Sequence, residues 1–229
     1  MCAGFMDSSA NYRVVRERVA AAAQRAGHEV TLLAVSKTQP AAAVRRLADL
    51  GQRAFGENYV QEALAKQREL ADLDLEWHAI GPLQSNKARE VAAHFHWLQT
   101  LDRLKLVAAL DRLRPAAMAP LQVLIQVNID DEASKSGCAP GEIGALAAAI
   151  SAAPRLALRG LMTIPAPDPD PRRREATFAR MRALFEELRR DHPGADTLSM
   201  GMSEDFEAAI AQGATLVRLG SALFGPRNR

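Results

Sequence analysis

Thr31-Leu-Leu-Ala-Val-Ser-Lys37 is the stretch that decides the fold. Five of its first six residues are apolar or β-branched, and no polar residue alternates with them. That pattern belongs to a strand covered on both faces, as in a parallel sheet. Thr38-Gln39-Pro40 breaks the strand, and Pro40 opens a helical pattern. Lys37 therefore stands at the carboxyl end of the first strand, the edge where barrels and open parallel sheets carry their chemistry. A lysine backed by an apolar strand can have a depressed pKa and attack a carbonyl. A lysine that merely reaches solvent at a strand end is the other reading of this stretch.

Outward from Lys37 the chain alternates. An amphipathic helix marked by Tyr12, Val15, Val19 and Ala22 precedes it and ends at Gly27. Strands are expected at 31–36, 53–57, 76–81, 96–100, 121–129, 158–164, 198–202 and 216–219, each followed by a helix or a helical turn. Strict β-α alternation implies parallel strands. Eight such units in a 229-residue chain suit a single (β/α)8 TIM-type barrel, with the N-terminal helix at about 8–26. A doubly wound open sheet is the competing architecture. No internal domain boundary shows, so residues 1–229 read as one domain. Pro165 to Pro171 reads as a long exposed loop after strand six.

Composition narrows the function. The chain is 48% hydrophobic and 24% charged, as globular proteins are. A net charge of +2 points to neither nucleic acid nor an anionic membrane as partner. The first ten residues do not read as a signal peptide, and no apolar run approaches transmembrane length. Cys2 and Cys138 form no disulfide framework or metal knuckle, so a reducing cytoplasm is expected.

The strand ends gather candidate residues on one rim: Lys37, Glu57, Asn58, His78, Gly81, Thr100, Asn128, Met162, Thr163, Met200 to Ser203, and Arg218 to Ser221. The last two groups suggest a phosphate site, which in barrels commonly follows strands seven and eight. Ser203 would lie at a helix N-terminus among backbone N–H groups, and Gly220-Ser221 in a small turn. A plain N-cap at Ser203 is the alternative, and Glu204 and Asp205 would add negative charge there. A rim lysine with phosphate donors fits a phosphorylated aldehyde such as pyridoxal 5′-phosphate (PLP), held by Lys37 as a Schiff base. Arg218 would face the pyridine nitrogen and, unable to accept a proton, leave it unprotonated.

Seven motifs add a resemblance. Leu33-Ala-Val-Ser-Lys-Thr38, Phe55-Gly-Glu-Asn-Tyr59, His78-Ala-Ile-Gly-Pro-Leu-Gln-Ser-Asn-Lys87, Asn128 through Gly137, Gly160-Leu-Met-Thr-Ile164, Ser199-Met-Gly-Met-Ser203 and Val217-Arg-Leu-Gly-Ser221 occur in this order. From about residue 30 to residue 225 the chain resembles the pyridoxal phosphate homeostasis protein family. The resemblance implies the barrel of PLP fold type III, as in the alanine racemase N-terminal domain, without the C-terminal β-domain. It implies a PLP aldimine on Lys37, phosphate at Met202, Ser203, Gly220 and Ser221, Arg218 near the ring nitrogen, and Asn58 in the cofactor-binding set. It implies a protein that binds PLP, hands it on and keeps its pool in balance, with PLP-dependent apo-enzymes as possible partners and no turnover of its own.

The chemistry agrees with the last point. Racemisation needs bases on both faces of the cofactor. In alanine racemase relatives the second is a tyrosine from the β-domain, and this chain runs only about ten residues past strand eight. Tyr12 reads as packing, which leaves Tyr59, just after strand two, as the one candidate base. A minimal racemase-like enzyme is therefore the alternative function. An uncovered site suits release better than protected carbanion chemistry. His94 and His96 are spaced like ligands without a third partner and read as a solvated helix end. His78 reads as a hydrogen-bonded residue beneath the site, and Arg172-Arg-Arg174 as a solvated face. Glu132 and Lys135 match a loop near the cofactor. A monomer is expected, since no apolar patch stands out.

Overall fold

The computed structural model describes residues 8–131 and 136–225. Eight parallel strands close into a barrel in chain order, β1 pairing with both β2 and β8. The strands are β1 (Thr31–Val35), β2 (Ala54–Glu57), β3 (Glu76–Ala79), β4 (Trp97–Leu101), β5 (Leu121–Gln126), β6 (Leu156–Met162), β7 (Thr197–Ser199) and β8 (Leu216–Leu219). The helices are α1 (Ser8–Ala26), α2 (Ala41–Asp49), α3 (Val60–Glu69), α4 (Ala88–His94), α5 (Leu104–Leu113), α6 (Ile143–Ser151), α7 (Pro171–Asp191), α8 (Phe206–Ala211) and α9 (Ser221–Phe224). The open-sheet alternative is excluded by the closing pair, in which Leu33 lies opposite Arg218.

The sequence pattern explains this order. Strands buried on both faces carry near-continuous apolar runs, and the helices cover them with stripes such as Phe178, Met181, Phe185 and Leu188 of α7. The buried stripe of α1 is Tyr12, Val15, Val19 and Ala22, and it packs on α2, α8 and α9. Tyr12 Oη donates to Gln52 Oε1 (3.2 Å), and Gln52 Nε2 donates to Leu32 O and Ala54 O. One buried amide thus ties the leading helix to the start of the barrel.

Several strand ends differ from expectation, and β3 at Ala79 and β6 at Met162 each stop two residues early. β5 stops at Gln126, short of the expected Ile129. Val127 N still donates to Met162 O of β6 (2.8 Å), while Val127 also bridges to Cys138 and Asn128 N donates to Cys138 O. β6 begins at Leu156, two residues earlier than its apolar pattern suggests. β7 ends at Ser199, and Gly201, at φ 93, turns the chain before α8. A Cβ there would lie 2.6 Å from Ala209 Cβ, so glycine is required for both conformation and space.

Candidate functional site

Lys37 follows β1 in a turn that ends where Pro40 caps α2. The buried Ser36 before it is fixed from several sides. Its N–H donates to Gly56 O, and its carbonyl accepts from Gln39 N and from Lys66 Nζ (2.6 Å). Ser36 Oγ donates to Glu57 Oε1 (2.5 Å). After Lys37, Thr38 adopts φ 65 and donates its N–H to Glu62 Oε1 (2.6 Å). Lys66 also bonds Glu57 and Glu62, so a charge cluster lies behind the turn. Burial pushes the Glu57 carboxyl above its ordinary range, against its hydrogen bonds from Lys66 and Ser36.

Asn58 leaves β2 next to this turn. Its backbone presses on Gly81, where a Cβ would meet Asn58 O at 2.3 Å. Gly81 O in turn accepts from Thr100 Oγ1 (2.8 Å). The rims of β2, β3 and β4 are thereby locked together, and Asn58 is held at the mouth of the barrel.

Arg218 comes from the inside of β8 and is buried. It donates from Nη1 to Ser199 Oγ (2.6 Å) and from Nη2 to Thr163 O (2.7 Å). Ser199 Oγ donates to Gln99 Oε1, and Gln99 Nε2 bonds His78 Nδ1. His78 Nε2 bonds Glu76 Oε1 (2.8 Å), and its ring stacks on Trp97. A polar thread therefore crosses the barrel interior and ends on the guanidinium. Burial pushes Arg218 down to about 10, offset by Asp205, so it stays protonated at neutral pH. Burial also lowers His78, with Glu76 opposing, and keeps the imidazole neutral at pH 7. His78 is the hydrogen-bonded residue beneath the site that its position suggests.

The two turns expected to hold phosphate meet across the barrel mouth. Ser203 Oγ accepts from Ala222 N (3.2 Å), which joins the turn after β7 to α9. An oxygen that accepts this bond keeps its own proton to donate. Ser203 does not begin a helix, however. α8 starts at Phe206 with Asp205 at its N-cap, and Asp205 Oδ1 accepts from Met202 N (2.7 Å). A carboxylate thus occupies the Met202 N–H that the sequence suggests for a phosphate.

Lys37, Asn58, Met202, Ser203, Arg218, Gly220 and Ser221 all line one cavity of about 640 Å³. Its outer wall was not foreseen. The proline-rich segment 165–169, expected as an exposed loop, forms that wall and is pinned where Ala166 N donates to Asp130 Oδ2 (2.6 Å). Arg172 and Arg173 are exposed, but Arg174 turns into the same wall with Thr177 and Phe178. A cavity-facing stripe at 174, 177 and 178 was the available signal, hidden by the charge run.

Tyr59 is 61% exposed and is not among the lining residues. His94 ends α4 at the surface, and His96 Nδ1 accepts from Trp77 N. Glu132 and Lys135 lie outside the described residues. Among the described residues, no three His, Cys, Asp or Glu side chains are grouped to hold a metal, and no helix is long and apolar enough to cross a membrane.

Known proteins share this architecture. The family model of the alanine racemase N-terminal domain matches residues 11–228. A protein of Pseudomonas aeruginosa named pyridoxal phosphate homeostasis protein is 56% identical over 221 residues, 95% of each chain. The solved structure of PipY of Synechococcus elongatus with PLP bound is 38% identical, with a TM-score of 0.84, covering 96% of this chain and 100% of that one. Alanine racemase of Corynebacterium glutamicum shares the fold alone, at 22% identity and a TM-score of 0.68, over 97% of this chain and 61% of its own.

Proposed function

This chain belongs to the alanine racemase N-terminal domain family and, within it, to the pyridoxal phosphate homeostasis proteins, and on that premise we propose that it binds PLP at Lys37 and maintains the PLP pool by taking the cofactor up and handing it on. The observation that carries the proposal is the convergence of all seven expected residues on one cavity. The donor set suits PLP. One lysine can meet an aldehyde, one buried guanidinium can meet a ring nitrogen, and two hydroxyls with two turns can meet a phosphate. The cavity lies within the 300–1,000 Å³ that small-molecule sites commonly span, roughly.

Bound PLP would supply an electrophilic aldehyde carbon and an electron-withdrawing pyridine ring. In our reading Lys37 presents its amine to that carbon from the turn after β1. Arg218, protonated and anchored on Ser199 and Thr163, would face the ring nitrogen as a donor and, unable to accept a proton, would leave that nitrogen unprotonated. Ser203, with its hydroxyl proton free to donate, would hold the phosphate together with Ser221 and Gly220, with Met202 beside them in the lining. Asn58 closes the opposite wall.

The same proposal assigns no catalytic turnover. Among the described residues, Tyr59 projects to solvent rather than lining the cavity, so no tyrosine is placed there as the second base that racemase relatives use. A monomeric state, a cytoplasmic location and delivery to PLP-dependent apo-enzymes belong to this proposal too. The test is to mix PLP-loaded protein with an apo-enzyme and follow its activation, while deuterium exchange at Cα is followed over many amino acids. Activation without exchange supports a carrier. Exchange at rates far above free PLP would replace the carrier with a racemase-like enzyme.

A further inference from the structure

Two peptide groups join Lys37 to the chain, and one charge cluster holds both. Lys66 Nζ, from α3, donates to the carbonyl of the Ser36–Lys37 peptide at 2.6 Å. Glu62 Oε1 accepts from the N–H of the Lys37–Thr38 peptide at 2.6 Å. Lys66 Nζ bonds that same Glu62 oxygen at 2.6 Å and Glu57 Oε1 at 2.7 Å, and Glu57 Oε1 also takes the Ser36 hydroxyl. The bonds close a ring around the lysine turn.

Packing alone does not account for this cluster. Lys66 is 4% exposed and Glu57 1% exposed. Buried ion pairs are often no more stabilising than apolar residues of the same volume. Glu57 Oε2 is buried without a partner, a further cost. Thr38 holds φ 65, a left-handed conformation that a β-branched residue adopts only where its surroundings impose it. The Glu62 bond to Thr38 N is such an imposition. None of Glu57, Glu62 and Lys66 lines the cavity, so whatever they do for a ligand there they do through the turn.

We infer that Glu57, Glu62 and Lys66 are positioning residues, which fix the two peptide planes of Lys37 and so aim its amine into the cavity. The inference rests on the reading of Lys37 as the PLP-bearing residue. The cluster ties the lysine to α3 as well as to its own strand, so that the amine's direction survives release of the cofactor.

The test uses Glu62→Ala, which removes the Thr38 anchor, and Lys66→Met, which removes the Ser36 anchor. Cofactor-free proteins are labelled with trace acetic anhydride across a pH series, and Lys37 is compared by peptide mass with the exposed Lys105. PLP release from loaded proteins is followed by its visible absorbance. Both variants should move the Lys37 profile relative to Lys105 and speed release roughly tenfold or more. A variant that melts cooperatively yet keeps the wild-type Lys37 profile and release rate would overturn the inference. Should Lys66→Met fail to fold, Glu62→Ala decides, because its carboxylate is partly exposed. A wild-type protein that binds no PLP would sink the functional reading instead, while the labelling profile still judges the cluster.

Discussion

Gly81→Ala probes the contact that sets Asn58 in the cavity wall. The added methyl would lie 2.3 Å from Asn58 O and 2.9 Å from Asn58 C and Cα. Real Cβ contacts essentially never fall below 3.0 Å, so one side must yield by at least 0.7 Å (3.0 − 2.3). Neither side yields freely. Asn58 O is backbone, Gly81 O is held by Thr100 Oγ1, and Ile80 N donates to Glu57 O. Overpacking of this kind costs about 1–3 kcal/mol. For a chain of this size each kcal/mol moves Tm by about 2–4 °C, so a fall of about 2–12 °C is expected. Thermal melts without PLP measure this, and a PLP titration should show weaker binding because the displaced backbone carries Asn58. Gly141→Ala is the control, since nothing lies within 4 Å of its would-be Cβ. It should be neutral, or stabilising by about 0.4–1 kcal/mol. A Gly81→Ala melt indistinguishable from both wild type and control would refute the reasoning.

Further outcomes follow from the site's electrostatics. Asp205→Asn keeps an acceptor for Met202 N but removes a charge beside the proposed phosphate seat, so PLP should bind roughly three- to tenfold more tightly by titration. Weaker binding would place the phosphate elsewhere. His78 is held neutral by burial, so its folded pKa lies below 6.5 and the unfolded chain takes up the extra proton. Stability present above pH 6.5 should therefore fall as pH drops below it, by at most about 1.4 kcal/mol per pH unit from this group. His78→Gln should flatten that slope in denaturant titrations, leaving the part due to His96, which burial also lowers. Glu76 is held below its ordinary range by its bond to His78, so its share is lost only below about pH 4.5. Burial pushes the Cys138 thiol up to about 12, so in a Cys2→Ser background it should resist a disulfide reagent until denaturant is added.

The barrel was legible because every strand of a parallel sheet is buried on both faces, and runs such as Thr31–Val35 and Leu121–Gln126 cannot pass for surface. The strand-end rule then brought Lys37 and Arg218 to one cavity, although 181 residues separate them in sequence (218 − 37). Strand limits were less legible. Val127 to Ile129 looks like more of β5, but beyond Val127 the backbone turns to Cys138, with Asn128 N donating to Cys138 O. Ser203 and Asp205 are both good caps by residue type, and the sequence does not separate them; α8 begins after Asp205. Nothing in the sequence marks Lys66 as a site residue, since Glu62 and Lys66 have the spacing of any helical i,i+4 ion pair. It becomes a buried anchor only once α3 is laid against the turn after β1. Arg174 was hidden similarly, inside a run whose first two members do face solvent.

The proposed function turns on Lys37 bearing PLP. Adding PLP to the protein, recording the visible spectrum, reducing with borohydride and mapping the adduct by peptide mass tests it directly. A yellow protein with one dominant adduct, on Lys37, is expected. A colourless protein, or an adduct spread over exposed lysines such as Lys105, would contradict it.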